Sequence, residues 1–341
     1  MHQPSQRGFF DETFRLETLT DKNDPLVKLH TVIAWEAFRP VLDRALRKEP
    51  TGKGGRPPYD YVLMLKVLIL QRLYNLSDAQ MEYQITDRLS FMRFLGLSIS
   101  DRIPDQNTIW LFREHLTNAG AMEELFALFS AQMTERHIII NAGSIVDATI
   151  VEVPKQRNTP EENASVKAAV IPEAWKDHPE QLRQKDTDAR WVHKGGVSSF
   201  GYKNHIKVCR KSKMITAYAV TDACVHDSQV IEQLVGESDA HHELYGDSAY
   251  AGHEIATLLR ENKIRNRIHE KGYRNHPLTH EQWERNRKKS KIRARVEHVF
   301  GFMTMSMRGI YLRTIGRVRA TAAIGLMNLT YNLCRYVTLT A

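Results

Sequence analysis

Cysteine is scarce in these 341 residues. The three present, Cys209, Cys224 and Cys334, are far apart, with no C-x-x-C pair and no histidine at zinc spacing. A disulfide framework and a structural zinc site are thereby excluded, and a reducing compartment fits. Long apolar runs are missing as well. The longest stretch, residues 61–74, is interrupted by Lys66 and Gln71, and the opening Met1-His2-Gln3-Pro4 lacks the basic-then-apolar layout of an export signal. These absences predict a soluble, cytoplasmic protein with no membrane partner. No internal repeat is visible, and a hydrophobic content of 42% excludes a disordered tail protein. Acids are outnumbered: 48 Lys and Arg against 40 Asp and Glu leave a formal charge of +8, which suits a polyanionic partner.

The basic residues are concentrated. Between positions 260 and 319 stand Lys263, Arg265, Arg267, Lys271, Arg274, Arg285, Arg287, Lys288, Lys289, Lys291, Arg293 and Arg295 against few acids. Such a run is either a solvated face or a surface for a phosphate backbone.

Three regions are expected. Residues 1–55 read as an N-terminal extension ending in the basic joint Lys53-Gly54-Gly55-Arg56-Pro57-Pro58. Residues 56–137 read as an all-helical, DNA-binding domain. Tyr61, Leu65, Leu68, Ile69 and Arg72 follow the 3.6 period, Ser77-Asp78-Ala79-Gln80 is a capping box, and further helices are predicted over 105–117 and 121–136. Gln106, Asn107, Thr108 and Arg113 would face a DNA groove if this were a helix–turn–helix; an ordinary bundle is the alternative. From residue 138 to 341 the pattern becomes α/β. A β-branched strand around Asp147 precedes a polar stretch, 154–196, read as a long insertion or flexible loop. Two strands (200–210 and 214–222) follow, joined by Lys211-Ser212-Lys213. A helix, a strand at 243–247, a helix, a short strand and a long helix from about 281 past Glu297 complete a mixed sheet flanked by helices.

Three acids stand where a metal site could be built. Asp147 lies inside an Ile/Val strand, where an unpartnered charge would cost several kcal/mol. Asp247 closes its strand before a turn, and Glu297 sits within the basic helix. Singly, Asp247 also suits a turn residue and Glu297 an i,i+4 partner of Arg293. Together they suit phosphodiester chemistry, in which two Mg²⁺ ions, with Mn²⁺ as a substitute, activate a nucleophile and stabilise the leaving oxygen.

Ile145-Val146-Asp147-Ala148-Thr149, Tyr245-Gly246-Asp247-Ser248-Ala249-Tyr250 and Arg293-Ala294-Arg295-Val296-Glu297-His298-Val299-Phe300 resemble the three catalytic blocks of bacterial insertion-sequence DDE transposases, specifically the insertion sequence 5 group of the insertion sequence 4-like superfamily. The likeness extends to Leu76-Ser77-Asp78, to residues 89–97, to Phe200-Gly201-Tyr202-Lys203-Asn204-His205 and to Val225-His226-Asp227-Ser228, and spans about residues 55–335.

The resemblance implies a ribonuclease-H-like catalytic domain, with Asp147, Asp247 and Glu297 as catalytic residues and Mg²⁺ ligands. It also implies double-stranded DNA partners, namely terminal inverted repeats and target DNA, and cleavage and strand transfer without a covalent protein–DNA intermediate. A homo-oligomer on DNA is expected from the need to bring two ends together. Arg293 matches the family's third block, whereas Ser290 and Thr304 stand where the family carries tyrosine and lysine. Arg308 shares the helical face of Arg293 and Glu297 and is the candidate replacement cation if the helix reaches it. Lys203 and His205 are either DNA contacts or a solvent-exposed strand face. Asp222 competes for a place in the metal site, Trp191 is a base-stacking or packing residue, and His226-Asp227 is a helix cap or a ligand. The rival functions are a catalytically silent DNA-binding repressor and a ribonuclease-H-like nuclease that cuts without joining.

Overall fold

The computed structural model describes residue 8 and residues 10–47, 57–140 and 142–340. The basic joint at Lys53–Arg56, and with it the expected boundary at 55/56, lies outside them. The chain divides into two compact units, residues 1–121 with 336–341, and residues 122–335. Among the described residues no helix is long and apolar enough to cross a membrane.

The first unit is all-helical. Helix Tyr61–Leu73 is mostly apolar and buried nearly all round, with Val62, Leu65, Leu68 and Ile69 almost fully buried. Asp60 caps its start, and the Ser77/Gln80 capping box starts the next helix, Asp78–Asp87. Residues 25–46, expected to belong to an extension, are part of this core. Leu26, Leu29, Trp35, Phe38 and Leu42 are buried, because helices Pro25–Val32 and Arg39–Leu46 each carry an apolar stripe that needs cover. Arg113 does not face outward: its guanidinium grips both oxygens of Asp78 at 2.7 Å and the Gln71 side chain at 3.0 Å.

The second unit carries a six-stranded sheet: β1 (Ser144–Glu152), β2 (Arg190–Lys194), β3 (Val197–Cys209), β4 (Ile215–Asp222), β5 (Glu243–Tyr245) and β6 (Arg265–Asn266). β1 pairs antiparallel with β3, which pairs antiparallel with β4; β5 is parallel to β1, and β6 to β5. The order β4-β3-β1-β5-β6, with β2 extending β3 as a hairpin, is the ribonuclease-H-like arrangement. Because residues opposite one another share a face, Val146, Ala148, Lys203, His205, Lys207 and Leu244 lie on one side of the sheet. Ile145, Asp147, Asn204, Ile206 and Tyr245 lie on the other.

The first face is closed by helices Ile231–Leu234 and His253–Glu261, whose Ile231, Leu234, Ile255 and Leu259 join Val146, Leu244 and Tyr250 in one core. The second face carries helix His280–Gly301 and the second unit's part of helix Arg317–Thr340. Asn332 of the latter exchanges two hydrogen bonds with the Ile215 backbone, accepting at 2.9 Å and donating at 2.8 Å, and the Asn328 and Asn204 amides pair reciprocally at 2.8 and 3.1 Å. All three asparagines are fully buried, so these pairs satisfy groups that would otherwise be stranded.

The insertion at 154–196 is folded, not a flexible loop. Thr159 and Glu162 form a capping box for helix Pro160–Lys167, and Trp175 is fully buried with its indole donating to Glu162 at 2.6 Å. Asp186 anchors the segment: its carboxylate accepts from the Ala189, Asp188 and Gly316 amides and from the Tyr202 hydroxyl. The β2–β3 hairpin turns at Gly195 and Gly196, both with positive φ.

Candidate active site

Asp147 and Asp247 meet through strand register. Ile145 on β1 stands beside Tyr245 on the parallel β5, and each aspartate lies two residues further on, so both carboxylates leave the same sheet face at the end of β5. Crevices outside the carboxyl ends of parallel strands are where such sheets gather ligands. Asp247, two residues past β5, is the N-cap of the turn Ser248–Tyr250, its carboxylate accepting from the Ala249 amide at 2.9 Å.

Glu297 arrives on helix His280–Gly301, which packs over β1 and β5. One turn earlier on that helix, Arg293 reaches between the acids. Its guanidinium donates to Asp147 at 2.8 Å and to Glu297 at 3.3 Å. Glu297 is thus the i,i+4 partner of Arg293, and its charge reaches Asp147. Among the described residues Asp247 has no ion pair.

Burial dominates the electrostatics. The Asp147 side chain is only 14% exposed, and desolvation pushes its carboxyl up to about 6. The Ala148 amide and Arg293 pull the other way, while Asp247 and Glu297 add to the rise. That a carboxyl at 2.8 Å from an arginine still titrates high means the guanidinium does not offset the loss of water. A nearby His269, held below its ordinary range by burial and then by Arg293 and Lys289, lies 3.3 Å from Ser290.

Three carboxylates are hard oxygen donors of the kind Mg²⁺ and Mn²⁺ take. Among the described residues no three His, Cys, Asp or Glu side chains stand close enough together to hold an ion, and Arg293 is bonded to both Asp147 and Glu297. The donor set fits a divalent cation in chemistry, and the guanidinium marks where positive charge is favoured. Its flexible stem would have to swing aside to admit an ion.

Other expectations are corrected. His205 is fully buried and Lys203 is ion-paired to Asp227 at 2.9 Å, both on the sheet face opposite Asp147, so neither is a DNA-facing group nor a solvated strand face. Arg308 is not on the Arg293–Glu297 face: helix His280–Gly301 gives way to a π-type turn at Phe302–Ser306, and Arg308 has φ +56°. Thr304 turns its hydroxyl back to the Phe300 carbonyl at 2.8 Å. Asp222 pairs with Tyr202, four residues along β3 from the partner of Asp147, a distance of about 13 Å along the strand. It caps the Cys224 amide instead. Trp191 is 41% exposed and packs on Phe200 at 5.2 Å between ring centres.

Gly246, one residue before Asp247, has no side chain and so makes room for the Tyr250 ring.

Residues 141–333 match the family described as "Transposase DDE domain", and residues 14–115 match "Transposase domain (DUF772)". A solved cryo-EM structure of a piggyBac transposase synaptic complex with hairpin DNA aligns with 98% of this chain and 77% of its own, at 11% identity and a TM-score of 0.43.

Proposed function

Because the chain belongs to the DDE transposase family, we propose that it binds the terminal inverted repeats of an insertion sequence, of the insertion sequence 5 group, and catalyses Mg²⁺-dependent cleavage and strand transfer. Asp147, Asp247 and Glu297 are the ligands in this reading. When bound, the ions would activate a water or a 3′-hydroxyl and stabilise the leaving oxygen of an in-line displacement.

The observation that carries the reading is Arg293 bonded to both Asp147 and Glu297 beside Asp247, three acids from three distant segments sharing one charge environment. The remaining residues then have definite work. Arg293, released from the carboxylates, would meet a DNA phosphate, and the exposed Lys288 and Lys291 on the same helix would extend a cationic track along the duplex. A homo-oligomer would bring two ends together, and target DNA would take the freed 3′-hydroxyl.

In purified protein, Asp147→Asn, Asp247→Asn and Glu297→Gln are each expected to abolish Mg²⁺-dependent cleavage of a terminal-repeat duplex while binding persists. Cleavage retained in any one removes that residue from the site. No cleavage by the wild-type chain would favour a DNA-binding repressor. Cleavage without joining of a pre-cut 3′-hydroxyl end would favour a nuclease.

A further inference from the structure

A third side chain stands in line with the two aspartates. β1, β5 and β6 are parallel neighbours, so their carboxyl ends open on one edge of the sheet. The amides of Arg265, Arg267 and His269 donate to the carbonyls of His242, Leu244 and Gly246 at 2.8, 2.9 and 3.1 Å, which carries the β5–β6 register past the strands themselves. Arg265 is opposite Glu243, and by the same count His269 is opposite Asp247, just as Asp247 is opposite Asp147. Residues in register leave the same sheet face. Asp147, Asp247 and His269 therefore form a row, with neighbouring backbones about 4.8 Å apart.

The helix above that face meets the row at both ends. Helix His280–Gly301 brings Arg293 to Asp147 at 2.8 Å and, one turn earlier, brings the Ser290 hydroxyl to 3.3 Å from His269 Nε2. The backbone around His269 is held firmly. Lys289 donates to the Ile268 carbonyl at 2.9 Å, and the Asn286 side chain exchanges two 2.9 Å bonds with the amide and carbonyl of Glu270. His269 is half-buried and Ser290 exposed, and among the described residues His269 Nδ1 has no hydrogen-bond partner. A ring aimed by its neighbours, on a fixed backbone and with one polar atom unused, is preorganised for a substrate.

The chemistry of the substrate says how the ring would meet it. The non-bridging oxygens of a phosphodiester accept hydrogen bonds and donate none. Contact therefore selects the arrangement in which the Ser290 hydroxyl donates to Nε2 and the ring proton sits on Nδ1.

We propose that His269 is a fourth residue of the active site, a catalytic residue whose Nδ1 donates to a non-bridging oxygen of the DNA phosphate under attack, with Ser290 fixing the ring. This deepens the proposed function and rests on it, since a phosphodiester brought against Asp247 lies next to the following member of the row. The contact supplies no bond making or breaking of its own. It orients the phosphate and takes up charge that grows on its oxygens in the transition state.

The test compares the full chain as wild type, Asp147→Asn, Asp247→Asn, His269→Ala, His269→Asn and His269→Gln. It measures the single-turnover cleavage rate of a terminal-repeat duplex in Mg²⁺, Mn²⁺ binding by calorimetry without DNA, and thermal melting. His269→Ala is expected to slow cleavage by about 100-fold, with Mn²⁺ and duplex affinities unchanged. His269→Asn, whose amide nitrogen stands close to the place of Nδ1, should recover about 10-fold of that loss, and His269→Gln, whose amide takes the place of Nε2, should not. If His269→Ala fails to fold, the Asn and Gln variants decide. A wild-type rate in His269→Ala, a lower melting temperature as its only effect, or equal rates in the Asn and Gln variants overturns the proposal. Mn²⁺ affinity as weak in His269→Ala as in Asp247→Asn would make the ring an ion ligand, and overturns the phosphate contact while leaving the ion site standing. Absence of cleavage by the wild type, or wild-type cleavage by Asp147→Asn, removes the proposed function and this inference with it.

Discussion

Asp147→Asn should make the metal-free protein more stable even as it destroys activity. The Asp147 carboxyl is pushed from 3.8 to about 6 by burial, a rise of about two units, and each unit is worth about 1.4 kcal/mol. Ionising it in the folded state thus costs about 3 kcal/mol at pH 8. Asparagine removes that cost, keeps one oxygen for the Ala148 amide or for Arg293, and forfeits the other bond, worth about 1 kcal/mol. The net gain is about 2 kcal/mol, or roughly 4–8 °C in melting temperature for a unit of this size.

The sign of the pH dependence follows. A carboxyl whose folded pKa lies above its unfolded value favours the fold below the unfolded pKa and loses that advantage as pH rises through the folded one. The advantage of the variant is therefore full above pH 6 and fades between pH 6 and 4. Thermal or urea melts in chelator at pH 8 and pH 4.5 measure it. Adding Mg²⁺ or Mn²⁺ should raise the melting temperature of the wild type and not of the variant. A variant less stable than wild type at pH 8 in chelator would refute the reasoning, because it would mean that Arg293 more than offsets the buried charge.

Arg293→Ala frees two carboxylates from a competing cation, so Mn²⁺ affinity by calorimetry should rise while duplex binding falls; a drop in Mn²⁺ affinity would contradict the bridging role. Gly201→Ala would drive a Cβ into the Val151 carbonyl oxygen, and a loss of about 3 kcal/mol or more is expected in denaturant melts, with faster amide exchange along β1. Asp239→Ala strands the buried Lys207 ammonium, now 2.6 Å from the carboxylate, at a cost of about 3–5 kcal/mol; replacing both with apolar residues should restore most of it in a double-mutant cycle. Limited proteolysis should leave residues 154–196 intact in the wild type and cut them in Asp186→Ala.

Much of this architecture can be read directly from residue patterns. The capping box at Ser77, the β-branched run around Asp147, the β3–β4 hairpin and the long basic helix all declare themselves through local chemistry. The sidedness of β3 does not. Helices cover both faces of this sheet, so the polar–apolar alternation that would tell inside from outside is absent, and Lys203 and His205 look exposed although His205 is buried and Lys203 half-buried beside Asp227. The insertion misled for a different reason: its hold on the domain comes from one buried tryptophan and one carboxylate collecting backbone amides, and neither makes a periodic pattern. Arg308 failed because a helical face can be projected only while the helix lasts, and a π-type turn ends it.

The two asparagines of the last helix carry a consequence for partly made or truncated chains. A side-chain amide has the same donor and acceptor as a peptide group, so Asn332 serves the rim of β4 as a neighbouring strand would. A chain ending before residue 328 would leave that rim open, and open rims recruit other chains. Such fragments should precipitate as cross-strand aggregates instead of persisting as loosened monomers.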